Sequence, residues 1–267
     1  MIALDIDDTL VNSEKKLTNS VKHAIKKAKA AEIKVVLCTG RPLSGVVSLL
    51  KELDLADLQD QYVVSFGGSL VQTTSGTVIS ATPLSYDSYL DLECLARKKQ
   101  LHFHAISNDR IYTANRDIGE YTIHESSLVS LNVSYRTPDE MRGVKIIKAM
   151  FIDQPEILEG ALKDYTGFAK LEDRVTFTRS TPYFYEANAK GISKASALQQ
   201  LCQKLSLTAD NVMAIGDGGN DLSMIKFAGL GVAMKNAIPE LKKVAQAITA
   251  DNNHSGVAAA IEKYVLH

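Results

Sequence analysis

The chain has 267 residues, 45% of them apolar and 23% charged, enough to bury a sizeable core in one large domain or two smaller ones. Its 30 Lys and Arg nearly cancel its 31 Asp and Glu, so no general basic field exists to hold a nucleic acid or an anionic membrane surface. Three scattered cysteines (Cys38, Cys94, Cys202) argue against a disulfide framework and a zinc site, and no run reaches the roughly 20 apolar residues of a membrane helix.

Short apolar runs alternating with amphipathic stretches predict the strands and helices of a parallel α/β sheet. In chain order, IALDI (2–6) reads as a strand, 20–31 as a helix, 33–38 as a strand, 43–53 as a helix and 61–66 as a strand. From 84 to 186 the pattern changes: strands at 101–107, 145–152 and 174–179 mix with helices near 86–99 and 155–165, which suits an open α+β sheet with one face covered. Alternation resumes with a helix at 193–204, a strand at 211–216, a helix at 221–228, a strand at 229–234, a helix after Pro239, a strand at 247–249 and a helix at 255–264. The expectation is a discontinuous Rossmann-like α/β core, residues 1–83 and 187–267, interrupted by an α+β domain at 84–186. The N-terminus enters an apolar strand without a basic leader, so a cytoplasmic location is expected. No signal of oligomeric state stands out.

In a parallel sheet the strand C-termini share one edge, and ligands bind in the crevice outside it. Four chemically suggestive clusters fall at or beside that edge. Asp5 and Asp7 follow the first strand, where a period of two would put both carboxylates on one side, in need of a cation. An isolated D-x-D is more often a turn and a helix cap. Thr39-Gly40-Arg41 follow the second strand: the hydroxyl suits a phosphate oxygen, Gly40 lets the backbone N–H approach an anion, and Arg41 could reach farther out. A turn into the helix beginning at Pro42 explains the same residues by themselves. Lys194 opens a helix, where a cation opposes the helix dipole unless an anion is near. IGDGGNDLSMI (215–225) sets Asp217 and Asp221, hard oxygen ligands, in a glycine-rich loop with Asn220, which is also compatible with a simple turn and cap. The combination of all four decides.

D-x-D-x-T-L, then T-G-R, then Lys, then G-D-x-x-N-D, in this order and at these strand ends, resembles the haloacid dehalogenase-like superfamily. The insertion between the Thr39 motif and Lys194 resembles members with a C2-type cap. GVAM (231–234) and GVAAAIEKY (256–264) are similar to the Cof-like subfamily, most of whose members are phosphatases of sugar phosphates and related metabolites. The resemblance implies a Mg²⁺-dependent phosphatase acting on a small phosphorylated metabolite through an aspartyl-phosphate. It makes Asp5 the nucleophile and Asp7 the general acid/base, with Thr39 and Asn220 holding the phosphoryl group and Lys194 neutralising charge. Mg²⁺ is then held by the Asp5 side chain, the Asp7 carbonyl and Asp217, with Asp221 acting directly or through water. Lys190 is a weaker match to the family's lysine. Gly67-Gly68 and Ala195 depart from the Asn-Gly and Gly that the family often has there.

Asp at position 7 favours hydrolysis, since relatives that keep the aspartyl-phosphate longer, such as ion-pumping ATPases, have Thr there. The inserted domain is expected to close over the site and contact the leaving group. His102, His104, Tyr112, Arg179 and Tyr183 are candidates for that contact, although packing is the commoner role of such residues. Two other readings stay open: a sugar phosphomutase, and a phosphate-responsive switch resembling receiver domains.

Overall fold

The computed structural model describes residues 1–266. The chain divides into two units, residues 1–80 with 193–267 and residues 81–192.

The first unit begins with β1 (Ile2–Leu4), α1 (Asn19–Ala30), β2 (Val35–Cys38), α2 (Val47–Glu52) and β3 (Tyr62–Ser65). Thr18 caps α1, its hydroxyl accepting the Val21 N–H, and buried Val21, Ala24, Ile25 and Ala28 recur at the 3.6-residue period that packs a helix on a sheet. A hairpin follows, β4 (Leu70–Thr73) and β5 (Val78–Ala81), in a stretch where the sequence suggested no element. The turn between them is closed by Thr73 and Gly76, with Gly76 at φ +94°, a region that glycine enters without strain.

The inserted unit holds α3 (Tyr86–Lys98), β6 (His102–Ile106), β7 (Arg110–Thr113), α4 (Glu120–Val129), β8 (Asn132–Tyr135), β9 (Lys148–Ile152), α5 (Pro155–Lys163), α6 (Thr166–Ala169), β10 (Val175–Thr181) and β11 (Phe184–Ala189). Its strands form one sheet in the order β10-β11-β9-β6-β7-β8, antiparallel except for β7 beside β8. Phe103, Phe151, Phe168 and Tyr185 anchor its own core. The joint expected at residue 187 falls inside β11, because that strand stays paired with β10 as far as Ala189 opposite Val175.

The chain then returns to the first unit with α7 (Lys194–Lys204), β12 (Met213–Gly216), α8 (Leu222–Phe227), β13 (Leu230–Ala233), α9 (Pro239–Val244), β14 (Ala247–Ile248) and α10 (Gly256–Tyr264). The core sheet runs β14-β13-β12-β1-β2-β3-β4-β5. From β14 to β3 every pair is parallel, while β4 runs antiparallel to β3, so the expected parallel sheet is extended by a hairpin at one edge. β1 lies between β2, next in sequence, and β12, about 210 residues further on. The strand order reverses there, which opens a crevice beyond the carboxyl end of β1.

Candidate active site

Three neighbouring strands deliver the central residues, since β12, β1 and β2 are parallel and end at one edge. Asp5 directly follows β1, its N–H still donating to the Ile215 carbonyl at 3.0 Å. Thr39 follows β2 and Asp217 follows β12.

The alternation expected to pair Asp5 with Asp7 does not operate, because both residues lie beyond the strand. The strand ends at Leu4, and residues 6–10 wind into a turn closed by the Val11 N–H on the Ile6 carbonyl, with Asp8 at φ +58°. Period-two alternation therefore stops before Asp7. Its carboxylate instead accepts from Arg41, with Nη2 at 2.6 Å and Nε at 3.2 Å, and Lys15 Nζ lies 3.4 Å away. Asn236 secures the turn by donating to the Asp8 carbonyl at 2.7 Å.

The carboxylates that gather with Asp5 are those of Asp217 and Asp221, with one oxygen from each within 4.8 Å of the others. Lys194 joins them: its side chain is 1% exposed, and Nζ donates to Asp5 Oδ1 and, at 2.6 Å, to Asp221 Oδ1. A lysine at the first position of α7 thus finds two anions that offset the helix dipole. Lys190, by contrast, is exposed. Asp221 is fully buried, and its Oδ2 accepts the N–H groups of Asp217 and Gly218 at 3.0 and 2.9 Å. A Cβ on Gly216 would lie 2.6 Å from the Asp221 carboxyl carbon, so glycine there makes room for this buried anion.

Electrostatics follow from burial and neighbours. Burial pushes the Asp5 carboxyl up to about 7, with Lys194 pulling it down and Asp221 pushing it up. Burial also raises Asp217. It acts against the Lys194 ammonium, but the two carboxylates outweigh it and hold that lysine above its ordinary value. With one buried cation facing three carboxylates, the cluster favours a further positive charge.

The chemistry of the donors fits a divalent cation. Asp5 Oδ2 and Asp217 Oδ2 accept no hydrogen bond among the described residues, which leaves two hard oxygens open. Asp221 has both oxygens engaged, with Lys194 and with backbone amides.

Of the other residues singled out in the sequence, Thr39 is buried and its Oγ1 accepts the Arg41 N–H at 3.1 Å. Gly40 has open space where a Cβ would sit, and Asn220 is exposed. His104 is fully buried within 3.3 Å of Thr122 Oγ1 and Met150 Sδ, His102 pairs with Asp153 at 2.9 Å, and Arg179 pairs with Glu159 at 2.5 Å.

Two contributors went unassigned in the sequence. Thr9, buried, donates to Asp217 Oδ1 at 2.6 Å, and its place in D-x-D-x-T was the available signal. Gly68, at φ +118°, packs so closely on the start of α7 that a Cβ would collide with the Ser193 carbonyl. It thereby sets where Lys194 begins, a role that no local pattern announces.

A family model described as haloacid dehalogenase-like hydrolase matches residues 2–261. The chain belongs to this family. It is 45% identical over 268 residues to M6_Spy0533 of Streptococcus pyogenes serotype M6, assigned by name to the phosphatases, covering 100% of this chain and 98% of that protein. It is 32% identical over 267 residues to the 5-amino-6-(5-phospho-D-ribitylamino)uracil phosphatase YcsE of Bacillus subtilis, covering 100% and 96%. Among solved structures, a haloacid dehalogenase-like hydrolase from Bacteroides thetaiotaomicron superposes with a TM-score of 0.84 at 32% identity, covering 98% of each chain. This haloacid dehalogenase-like hydrolase is an enzyme of the phosphatase kind. No helix among its described residues is long and apolar enough to cross a membrane.

Proposed function

We propose that the enzyme hydrolyses sugar phosphates and related small phosphorylated metabolites in the cytoplasm, with Mg²⁺ and through an aspartyl-phosphate on Asp5. The observation that carries this reading is the buried Lys194 ammonium held on both Asp5 and Asp221, with Asp217 alongside. A carboxylate nucleophile is repelled by a phosphate dianion, and a fixed cation in a site shielded from water offsets that repulsion. Mg²⁺, when bound by the Asp5 and Asp217 carboxylates and the Asp7 carbonyl, supplies further positive charge that favours ionised Asp5 and the transferring phosphoryl group. Asp221, both of whose oxygens are engaged, holds Lys194 and would support the cation through water.

Asp5 attacks phosphorus while Asp7 protonates the departing alkoxide oxygen. Asp7 then takes a proton from the water that cleaves the aspartyl-phosphate. Arg41 aims the Asp7 carboxylate through its two nitrogen contacts. Because Thr39 Oγ1 already accepts the Arg41 N–H, its own O–H is free to donate to a phosphoryl oxygen, and Asn220 contributes a second polar contact. The name of the Bacillus relative places a phosphorylated ribityl chain, a polyol phosphate, in that protein's substrate, which supports the sugar-phosphate class here.

The test is a phosphate-release screen over sugar phosphates, flavin mononucleotide, pyridoxal phosphate and nucleotides, with Mg²⁺ and with EDTA. Release should vanish with EDTA, and Asp5→Asn should lower kcat by about 10⁴-fold or more. Undiminished turnover in Asp5→Asn would sink the proposal. Isomerisation of a sugar phosphate without phosphate release would replace hydrolysis with a mutase reaction.

A further inference from the structure

We infer that the inserted unit carries a second anion site, separate from the carboxylate cluster, that takes a small phosphorylated molecule with an apolar or planar body. A groove of about 530 Å³ runs along α3 beside the segment from Asp164 to Arg174. Its floor is apolar: Leu95 and Leu171 line it, and Gly167 packs directly against the Leu95 side chain. Its rim is basic, although the chain as a whole carries a net charge of −1.

The charges do not cancel locally. Four cations and two carboxylates line the groove, and each carboxylate already has a partner: Asp91 pairs with Arg174 at 2.5 Å and Asp164 with Lys99 at 2.6 Å. Lys98 and Lys170 remain, exposed and without an ion pair among the described residues. Lys98 alone is explained by the C-terminus of α3, where a cation complements the helix dipole. Lys170 belongs to another segment, and the two share this groove.

Two cations without partners beside an apolar floor match a ligand that joins a dianion to an apolar body. A phosphate monoester has that chemistry. The floor separates it from free phosphate, which offers nothing to lie on Leu95 and Leu171.

The groove contains its own reporter. Cys94 lines it and is exposed, whereas Cys38 and Cys202 are buried, so a neutral thiol reagent reads the groove through one residue. The experiment follows iodoacetamide labelling of Cys94 by peptide mass, with phenylphosphonate as the probe because its carbon–phosphorus bond resists a phosphatase. Labelling should slow about tenfold at ten times the dissociation constant, since it scales with the unoccupied fraction. Inorganic phosphate should protect less.

The double variant Lys98→Ala/Lys170→Ala should label at the same rate with and without the probe. Asp5→Asn should keep full protection, which separates this site from the reading of the carboxylate cluster. The inference is overturned if phenylphosphonate leaves labelling unchanged, if protection survives in the double variant, or if it disappears in Asp5→Asn. Equal protection by inorganic phosphate would overturn the part assigned to the apolar floor.

Discussion

Both units bury a lysine against carboxylates, but in different ways. In the core, Lys194 meets Asp5 and Asp221 where three parallel strands end, and Asp217 adds a third carboxylate. In the inserted unit, Lys148 meets Glu186 at 3.2 Å, beside groups whose charged forms burial disfavours. Burial raises Glu125, against the pull of Lys148, and drives the His104 imidazole down to about 3. Burial thus works against charge in both units, but in the core the two carboxylates that face Lys194 outweigh it and hold that lysine above its ordinary value. The lesson concerns function: among the described residues, the core gathers three carboxylates in one cluster, at the edge where a phosphate can enter.

The largest test of this contrast removes the core's cation. Lys194→Met leaves Asp5 and Asp221 buried and unpaired, and should cost about 3–5 kcal/mol in urea unfolding as well as abolishing turnover. Adding Asp5→Asn to that variant should restore part of the stability, because one uncompensated charge disappears. Additive losses would show that the two groups are not coupled and would break the comparison.

The next test concerns the inserted unit. The imidazole of His104 titrates near 6.5 in an unfolded chain and near 3 in the fold, because burial disfavours its charged form. Between those values the unfolded chain takes up the proton that the fold refuses. Stability from this residue is therefore complete above about pH 6.5 and falls with acidification, by at most about 1.4 kcal/mol per pH unit. Unfolding midpoints measured from pH 7 to pH 4 should drop less steeply in His104→Gln than in the parent. The difference isolates this histidine from Glu125, whose raised value contributes stability that is lost as pH rises. Identical slopes would remove His104 from the account.

The smallest effect is expected at Thr9. Thr9→Val deletes the hydroxyl that orients Asp217 while keeping the side-chain volume. The Mg²⁺ concentration for half-maximal activity should rise by about tenfold, with kcat at saturating metal little changed. An unchanged metal requirement would mean that Asp217 needs no such support.

Much of the core was legible because its signals are local. The strand at Val35–Cys38 is a short run of β-branched and apolar residues, and the helix at Asn19–Ala30 repeats its apolar positions at helical spacing. The inserted unit was harder to read. In α4, Ile123 and Leu128 point to solvent and no continuous apolar stripe marks the helix, while β7 and β8 are four residues each. Such elements owe their form to the sheet they join, through pairings that sequence patterns do not show.

By itself the sequence determined which chemical groups are available and that they follow predicted strands: Asp5, Thr39 and Asp217 each close an apolar run, and Lys194 opens a helix. Tertiary structure decided which of them meet. Asp7, two residues from Asp5, turns to Arg41, while Lys194 and Asp221, 189 and 216 residues away, join the Asp5 cluster. The reason is physical: a strand's pleat orders side chains only as far as the strand extends, and β1 stops at Leu4. Beyond it, the register of β1 against β2 and β12, together with the bare backbone of Gly68 against Ser193, sets every distance in the site.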